Sequence, residues 1–452
     1  MPVARIDPLP TLPVFVRDVL QRLGSAGRAW LVGGTVRDLL LGDEPRDYDV
    51  ATDLTPAEVQ RLLPHADLRD ADFGVAAVRS ASGVLTVTTL RREGGYVDGR
   101  RPQQVAFTTS IEVDAARRDF TVNALYLDVA AGTVADPTGG LADLAARRLR
   151  VIGDPAVRFG EDVLRLLRAV RFAARCALEV EPATAAAIRV AAATLTRLSA
   201  ERTFAELTSA FTGRGRGRAL RLLVELGLAA VVLPEVVAMD GVTQPPEYHP
   251  EGDVLTHVVL VLDHVPPDDP VLAWSAVLHD VGKPATWRQA EDRIRFDGHD
   301  TLSAELADAV LRRLHAPKDL REVVVDVCRQ HIRFASLPAM RPRRREAWLR
   351  SPSFPAHLEF HRADCLGSHG KLDVYGMARD WLRELPPERP PLVTGADVLA
   401  LGVPSGPAVG ELLRAVHAAA DEAPTAMDRP SALILLRDMA ERWRQGADPR
   451  AR

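Results

Sequence analysis

The chain has 452 residues, of which 47% are hydrophobic and 26% charged, as in a folded globular protein. Its 57 basic residues nearly balance 61 acidic ones, so any nucleic-acid surface must be local. No apolar run reaches the roughly 18 residues of a membrane-spanning helix, and the first ten residues lack the order of a signal peptide. Three cysteines are too few for a disulfide framework. We therefore expect a cytoplasmic protein that does not contact a membrane.

The predicted elements, taken in chain order, divide the sequence into four parts. Residues 1–152 mix short β-rich runs with helices and predict an α/β head. Residues 153–240 have the spacing of consecutive amphipathic helices and predict a helical neck. Two proline-rich joints then delimit a mostly helical block at 250–385 and a helical tail at 392–452. The predicted fold class is α+β, with the strands concentrated in the head.

The head contains a glycine turn followed by two acidic residues on a strand. Gly33 and Gly34 separate a predicted strand from a helix, and Asp47 and Asp49 open the next strand. Alternate strand residues point the same way, so the two carboxylates share a face. Paired carboxylates repel each other unless a cation joins them, and hard oxygen ligands suit Mg²⁺. The turn and the helix start would receive a triphosphate, as nucleotidyl transfer requires.

A glycine turn or an Asp-x-Asp strand is common by itself, but their order and spacing here resemble the nucleotidyltransferase superfamily. The closer resemblance is to the bacterial class II tRNA nucleotidyltransferase and poly(A) polymerase family. Residues 117–125, 136–140, 160–172 and 199–207 resemble that family's second to fifth motifs, in the family's order. The resemblance implies a polymerase-β-like head, and an enzyme that completes or repairs the 3′ CCA end of tRNA from CTP and ATP without a template.

Two residues of the fourth motif are candidates for choosing the nucleotide. Asp162 and Arg165 are three apart on a predicted helix, a spacing that also gives ordinary surface ion pairs. The resemblance implies that they read the base. Cytosine and adenine both present an amine beside a ring-nitrogen acceptor, so a carboxylate and a guanidinium together recognise them, whereas uracil and guanine reverse the pattern.

The resemblance also assigns residues to the ribose and the triphosphate. It implies that Arg118, Asp119 and Asn123 of the second motif contact them, with Arg168 nearby on the fourth motif. For Arg37 and Asp38, just after the glycine turn, two interpretations stay open: they complete the phosphate site, or they brace the turn.

The strand before the second motif departs from the family pattern. Thr86 stands where many relatives carry an acidic residue, so a third carboxylate beside Asp47 and Asp49 is not evident. Residues 90–107 resemble the family's flexible loop between the first two motifs, and the presence of this loop favours addition of the terminal A.

Basic residues concentrate in the neck. Eight arginines lie between residues 145 and 175 against three acids, and a second cluster covers residues 213–221. Such arginines would position tRNA through its phosphates without reading sequence. Because arginine is abundant along the whole chain, solvated helix faces are the alternative interpretation.

The third block resembles the HD phosphohydrolase superfamily. An isolated histidine is more often structural than a metal ligand, but here histidines and aspartates recur in an H…HD…H…H…D order. The resemblance implies a site for one or two divalent metals, of unknown identity, that activate water. The candidate ligands are His257, His279, Asp280, His299, His331 and Asp364.

Three functions follow from these patterns. The first is CCA addition to tRNA, with Mg²⁺ at Asp47 and Asp49. The second, within the same family, is an A-adding or CC-adding enzyme or a poly(A) polymerase. The third is an HD-type metal phosphohydrolase that acts on RNA ends or nucleotides, with the front half holding RNA. No oligomeric state is predicted.

Overall fold

A computed structural model of the chain divides into two compact units. The first contains Met1–Arg329 and Arg362–Lys371, and the second contains Gln330–His361 and Leu372–Arg452. The structure describes residues 3–5, 11–45, 47–80, 83–96, 102–385, 391–423 and 427–445. Among them, no helix is both long and apolar enough to cross a membrane. The four-part division expected from the sequence stays a prediction.

The first unit begins with a seven-stranded sheet, which confirms that the fold mixes strands with helices. The strand order is β1-β9-β8-β2-β3-β5-β4, and β6 and β7 form a separate antiparallel hairpin. The strands are β1 (Val3–Arg5), β2 (Ala29–Val32), β3 (Tyr48–Thr52), β4 (Val75–Ser80), β5 (Gly83–Thr89), β6 (Arg91–Tyr96), β7 (Pro102–Phe107), β8 (Tyr126–Asp128) and β9 (Thr133–Ala135). The accompanying helices are α1 (Val14–Gly24), α2 (Gly34–Leu40), α3 (Pro56–Leu62), α4 (Ile111–Ala116) and α5 (Gly140–Ala145).

Alternation along β3 separates its core face from its acidic face. Tyr48 and Val50 are buried in a core cluster with Leu31 and Val36. Asp49, between them, points to the opposite face. β3 pairs in parallel with β5, in a register that sets Asp49 opposite Thr86. The strand position beside Asp49 therefore carries a hydroxyl, as the sequence predicts, and not a third carboxylate.

Helices dominate the rest of the first unit. After the sheet follow β10 (Arg148–Leu149), α6 (Pro155–Glu161), α7 (Leu164–Arg175), β11 (Glu179–Val180), α8 (Pro182–Ala191), α9 (Ala200–Thr212), α10 (Arg216–Glu225), α11 (Ala229–Val232) and α12 (Pro234–Val237). The next elements are α13 (Val254–His264), α14 (Pro270–Leu278), α15 (Lys283–Thr286), β12 (Arg288–Gln289), β13 (Ile294–Arg295), α16 (His299–Arg313) and α17 (Lys318–Phe334). Helix α7 buries an apolar face while its arginines face the head, and this places them beside the acidic strand.

The second unit is helical in its described part. The remaining helices are α18 (Pro342–Leu349), α19 (Phe354–Leu366), α20 (Asp373–Arg383), α21 (Gly395–Ala400), α22 (Pro407–Glu422) and α23 (Arg429–Arg444). One core cluster surrounds Phe334, Trp348 and Phe354, and a separate one surrounds Leu412 and Leu436. The predicted helical tail thus has an apolar core of its own.

Candidate active site and metal centre

The hydroxyl of Thr35 holds the backbone of the acidic strand. Thr35 lies in the first turn of α2, directly after the glycine turn, and is 1% exposed. Its Oγ1 donates to the carbonyl of Asp47 at 3.2 Å and accepts the N–H of Asp49 at 2.8 Å. The two carboxylates are therefore fixed relative to the helix start through one buried side chain. Thr35 is not among the residues predicted for the site, although it directly follows the two glycines in the sequence.

Gly33 lets the chain turn sharply next to the carboxylates. Its φ is +69°, in the left-handed region that favours glycine. A Cβ at this position would lie 3.5 Å from Nη1 of Arg118 and 3.6 Å from Oδ2 of Asp49. Gly34 begins α2 beside it. The turn, the strand carboxylate and the second-motif arginine thus meet at one corner.

Arg118 is held at that corner by a buried carboxylate. Its Nε and Nη2 donate to Oδ2 of Asp114 at 3.1 and 3.0 Å, and Nε also donates to the hydroxyl of Tyr126 at 3.0 Å. Burial of Asp49 raises the pKa of its carboxyl, the charge of Arg118 opposes that rise, and Asp47 adds to it. An acidic pair whose charge is disfavoured by burial and mutual repulsion is suited to binding a cation. Asp47 and Asp49 therefore fit a divalent metal such as Mg²⁺.

Asp119 and Asn123 join the second motif to the neck and to α2. Oδ2 of Asp119 accepts from Nε and Nη2 of Arg168 at 2.9 and 2.7 Å. Oδ1 of Asp119 accepts a hydrogen bond from Nδ2 of Asn123. Oδ1 of Asn123 in turn accepts one from Nη1 of Arg37 at 2.6 Å. Burial would raise the pKa of Asp119, but Arg168 and Asn123 lower it to about 2. Asp119 is therefore an ionised link between the head and α7.

Arg37 and Asp38 make contacts that brace the turn. The Arg37 guanidinium is 1% exposed and donates through Nε and Nη2 to Oδ1 of Asp38. Oδ2 of Asp38 accepts from Nη2 of Arg175, on α7, at 2.8 Å. Of the two interpretations left open by the sequence, these contacts favour bracing, since the charges of both residues are already paired inside the fold.

Asp162 does not lie on a helix, contrary to the prediction that it shares a helix with Arg165. Helix α6 ends at Glu161 and α7 begins at Leu164, and Asp162 between them is extended, with φ −141° and ψ 104°. Its Oδ1 instead accepts the N–H of Leu164 at 3.1 Å, which satisfies a free donor at the start of α7. The helix prediction failed here because local capping by the aspartate interrupts the periodic pattern.

Arg165 nevertheless remains close to Asp162. Its Nη1 donates to Oε2 of Glu161 at 3.1 Å and its Nη2 to the carbonyl of Arg117 at 3.2 Å. Burial raises the pKa of Asp162, and the nearby charges of Arg165 and Arg202 oppose that rise. Both side chains line the same cavity, but each has its own neighbours.

These residues surround a cavity of about 610 Å³ between the head and α7. All twelve residues that the sequence singled out as catalytic or nucleotide-binding line it. Arginines and carboxylates both line its wall, and Phe172 adds an apolar surface with Arg37, Arg168 and Arg171 against its ring. This size and polarity suit a nucleoside triphosphate with its metal. The role of each residue stays a prediction.

Many of the neck arginines have partners within the fold. Arg171 donates to Glu206, and Arg150 donates to Asp143. Together with the bonds of Arg168 and Arg175, these pairs show that several of the arginines counted toward a basic surface stabilise the fold. The predicted RNA surface stays a prediction.

Two family models match the chain, one over the head residues of this site and the other over the helices that follow α7. One, described as the poly A polymerase head domain, matches residues 29–150, and the other, described as a probable RNA and SrmB-binding site of polymerase A, matches residues 177–239. The chain is also 36% identical over 329 residues to the multifunctional CCA protein of Xanthomonas campestris pv. campestris, an alignment that covers 70% of this chain and 78% of that protein. The chain belongs to the class II CCA-adding family.

Other members of the CCA-adding family match over different lengths. A CCA-adding enzyme of Levilactobacillus brevis is 40% identical over 225 residues, which span 50% of this chain and 56% of that enzyme. The crystal structure of the Bacillus stearothermophilus CCA-adding enzyme in complex with CTP aligns with a TM-score of 0.72 at 24% identity, covering 96% of this chain and 100% of that one. The similarity to this crystal structure shows a shared fold.

This CCA-adding family member also contains a histidine-aspartate cluster in the first unit. Nε2 of His257 lies 3.0 Å from Oδ1 of Asp364 and 3.3 Å from Nε2 of His279. Asp280 reaches the same group, with Oδ2 3.1 Å from Nε2 of His279 and Oδ1 3.5 Å from Nε2 of His299. Five of the six ligands predicted from the HD resemblance therefore converge. His331 belongs to the second unit, and its role stays a prediction.

The outward nitrogens of the histidine rings are held by other groups. Nδ1 of His279 lies 2.9 Å from the carbonyl of Ala276, and Nδ1 of His299 lies 2.7 Å from that of Phe296. A backbone carbonyl at Nδ1 requires the proton there, so Nε2 is the unprotonated nitrogen and has the lone pair that a metal needs. This orientation, with two carboxylates, fits a divalent cation and does not identify it.

Three further residues next to the cluster were not singled out by the sequence reasoning. Oε1 of Glu251 lies 2.9 Å from Nδ1 of His257. Lys283 is buried, 2.7 Å from Oδ2 of Asp280, and donates to Oε1 of Gln244 at 2.6 Å. Lys283 was visible in the His-Asp-x-Gly-Lys string. Glu251 and Gln244 lie in the proline-rich joint, where the sequence gives no sign of a site.

Proposed function

We propose that this chain completes or repairs the 3′-terminal CCA of tRNA, taking its nucleotides from CTP and ATP without a nucleic-acid template. The observation that carries the proposal is the meeting of Asp47 and Asp49 with Asp162 and Arg165 around one cavity. The first pair supplies metal ligands for nucleotidyl transfer, and the second supplies a protein surface for the base. Membership of the CCA-adding family supports the same activity.

Asp47 and Asp49 would hold Mg²⁺, which when bound lowers the charge repulsion at the α-phosphate and favours the ionised hydroxyl. The 3′-hydroxyl of the tRNA loses its proton to solvent and its oxygen bonds to the α-phosphorus, while the bond from that phosphorus to the bridging oxygen breaks and pyrophosphate leaves. Thr35 fixes the strand that presents the carboxylates, and Gly33 allows the phosphates to approach the backbone. Arg118 supplies positive charge at the same corner.

Asp162 and Arg165 would choose the base. The carboxylate accepts a hydrogen bond from the exocyclic amine of cytosine or adenine, and the guanidinium donates one to the adjacent ring nitrogen. The same groups oppose uracil and guanine, since an acceptor would face an acceptor and a donor would face a donor. A single pair of side chains thereby accepts both nucleotides of CCA.

The test of the transfer site is a pair of conservative substitutions. We expect Asp47→Asn and Asp49→Asn each to lower CTP incorporation into tRNA by at least about a thousandfold, because each removes a charged metal ligand. Asp53→Asn is the matched control, since Asp53 follows the same strand but lies outside the cavity and bonds to Arg28. Incorporation that survives in the first two variants would contradict the proposal.

A second activity is favoured by the His257, His279, Asp280 and Asp364 cluster: HD-type hydrolysis of a phosphoester on an RNA end or nucleotide. A metal bound there would supply an activated water. Asp280→Asn should lower both bound metal, measured by elemental analysis after loading with Mn²⁺, and hydrolysis of 2′,3′-cyclic AMP. His264→Ala, on the exposed end of α13, is the control. Equal metal content in the wild type and Asp280→Asn would contradict this proposal and leave the transferase untouched.

The site in the head and the cluster in the third block have separate tests. Hydrolysis that persists in Asp49→Asn while incorporation is lost supports two independent centres. The cytoplasmic location expected from the sequence stays a prediction.

A further inference from the structure

One carboxylate near the transfer cavity accepts hydrogen bonds from several sides. Asp114, in the last turn of α4, is 0% exposed. Its Oδ2 accepts from Arg118 and, at 2.7 Å, from the hydroxyl of Tyr126. Its Oδ1 accepts from Nε of Arg117 at 2.8 Å and from the N–H of Arg91 at 3.2 Å. Asp114 itself does not line the cavity, but both arginine side chains that it holds do.

Arg118 uses different nitrogens for the carboxylate and for the cavity. Nε and Nη2 donate to Asp114, and the ring of Tyr126 lies under the guanidinium at 5.3 Å. Nη1 is the nitrogen on the side of the Gly33 turn, 3.5 Å from the place that a Cβ of Gly33 would take. An arginine side chain has several rotatable bonds, and a two-nitrogen bond to a carboxylate fixes the plane of its guanidinium. Asp114 therefore fixes the direction in which Nη1 of Arg118 points.

We propose that Asp114 is a positioning residue for nucleotidyl transfer, which aims Arg118 at the triphosphate with the help of Tyr126. Asp114 does not line the cavity and acts through Arg118. Its ionised state supports this role: burial would raise its pKa, but Arg118 and Arg117 lower it to about 2. The carboxylate is therefore charged whenever the enzyme works, and it attracts both arginines.

The role predicts a specific kinetic pattern. The triphosphate is common to CTP and ATP, whereas Asp162 and Arg165 face the base. Loss of the Asp114 charge should therefore raise KM for both nucleotides by the same factor. The preference for CTP and ATP over UTP and GTP should not change. A merely structural residue would lower the melting temperature and the active fraction, with KM unchanged.

The chain offers a matched control in Asp143, another buried carboxylate of the head. Asp143 is 2% exposed, accepts from Oγ1 of Thr121 at 2.7 Å, and binds Arg148 and Arg150. It resembles Asp114 in burial and in its arginine partners, but neither it nor those partners line the cavity. Asp143→Asn therefore reports what removing a buried charge does to the fold alone.

The experiment measures kcat and KM for CTP and ATP on tRNA ending before CCA and after CC, in the full-length chain. We expect Asp114→Asn to raise both KM values about tenfold. Asp143→Asn should keep them within about twofold while lowering the melting temperature. Unchanged KM in Asp114→Asn, a change for only one nucleotide, or an equal change in Asp143→Asn would each overturn the proposal.

Tyr126→Phe keeps the proposal testable if Asp114→Asn does not fold. It removes only the hydroxyl that donates to Asp114 and accepts from Nε of Arg118. We expect a rise in both KM values of about threefold, with a folded protein. Wild-type KM values in a folded Tyr126→Phe would overturn the proposal. Loss of incorporation by the wild-type chain would refute the transferase function instead, so the two failures are distinguishable.

Discussion

Replacing Thr35 by valine removes the one hydroxyl that ties the glycine turn to the acidic strand. Valine has nearly the same shape, so the core beneath α2 is kept and only the two hydrogen bonds are lost. The N–H of Asp49 then loses its side-chain acceptor. We expect the strand to shift enough that the two carboxylates no longer hold their positions at the cavity.

The magnitude follows from the two bonds. A protein hydrogen bond contributes about 0.5–1.5 kcal/mol net, and an unpaired buried donor costs about 1–3 kcal/mol. The bond at 2.8 Å is the stronger of the two, and the one at 3.2 Å adds less. If about 1–3 kcal/mol of this stabilisation is lost in the transition state, kcat falls by about 5- to 160-fold. The same loss lowers the melting temperature by only a few degrees in a unit of this size.

Single-turnover incorporation of one C into tRNA lacking CCA measures this effect. Thr35→Ser is the control, because it keeps the hydroxyl and should retain most of the wild-type rate. Wild-type kcat in a folded Thr35→Val would refute the view that the hydroxyl positions the carboxylates. A loss of equal size in Thr35→Ser would assign the effect to packing.

Three further predictions concern the same cavity. Gly33→Ala places a Cβ in a left-handed conformation facing Arg118, and should cost about 1 kcal/mol of stability and raise KM for both nucleotides, as measured by thermal unfolding and steady-state kinetics. The pKa of Asp119 is lowered to about 2, so its ionised carboxylate stabilises the fold at any pH above its unfolded pKa of about 4. This contribution to the free energy of unfolding, on the order of 2 kcal/mol, disappears as the pH falls from about 4 to 2. Urea unfolding of Asp119→Asn should consequently show a weaker pH dependence than the wild type between those values. Asp162→Ala should lower CTP and ATP incorporation at least about tenfold each and reduce the margin over UTP, measured in parallel reactions with single nucleotides.

Local periodicity predicted that Asp47 and Asp49 lie together, and both line the cavity. Asp47 and Asp49 bracket a buried Tyr48, and an alternation of two allows little other than a shared acidic face. The glycine turn before them was equally readable, because Gly33 has the backbone conformation that makes glycine necessary. In both cases the interaction that decides the structure lies within a few residues of chain.

Longer-range partners could not be predicted from the pattern. Asp114 and Tyr126 are on different elements, and only the packing of α4 against β8 brings their side chains together. Glu251 lies in a proline-rich joint that suggested a boundary between domains, yet its carboxylate reaches His257. These pairs depend on tertiary packing that one sequence does not show.

The prediction of a helix through Asp162 was wrong for a local reason that the sequence partly shows. Aspartate favours the start of a helix because its side chain satisfies a free backbone donor, and here it bonds to the N–H of Leu164. The periodic apolar residues that follow belong to α7, and their helical spacing extended the predicted helix back over the capping aspartate. The residue still lines the cavity.

The most direct test of the account is incorporation of each labelled nucleotide into tRNA ending before CCA, after C and after CC, resolved at single-nucleotide length. The account predicts addition from CTP on the first two substrates, one A from ATP on the third, and no extension beyond CCA or from UTP and GTP. Addition of A alone, of CC alone, or of long A tracts would identify a different member of the polymerase group. No incorporation on any substrate would contradict the central claim.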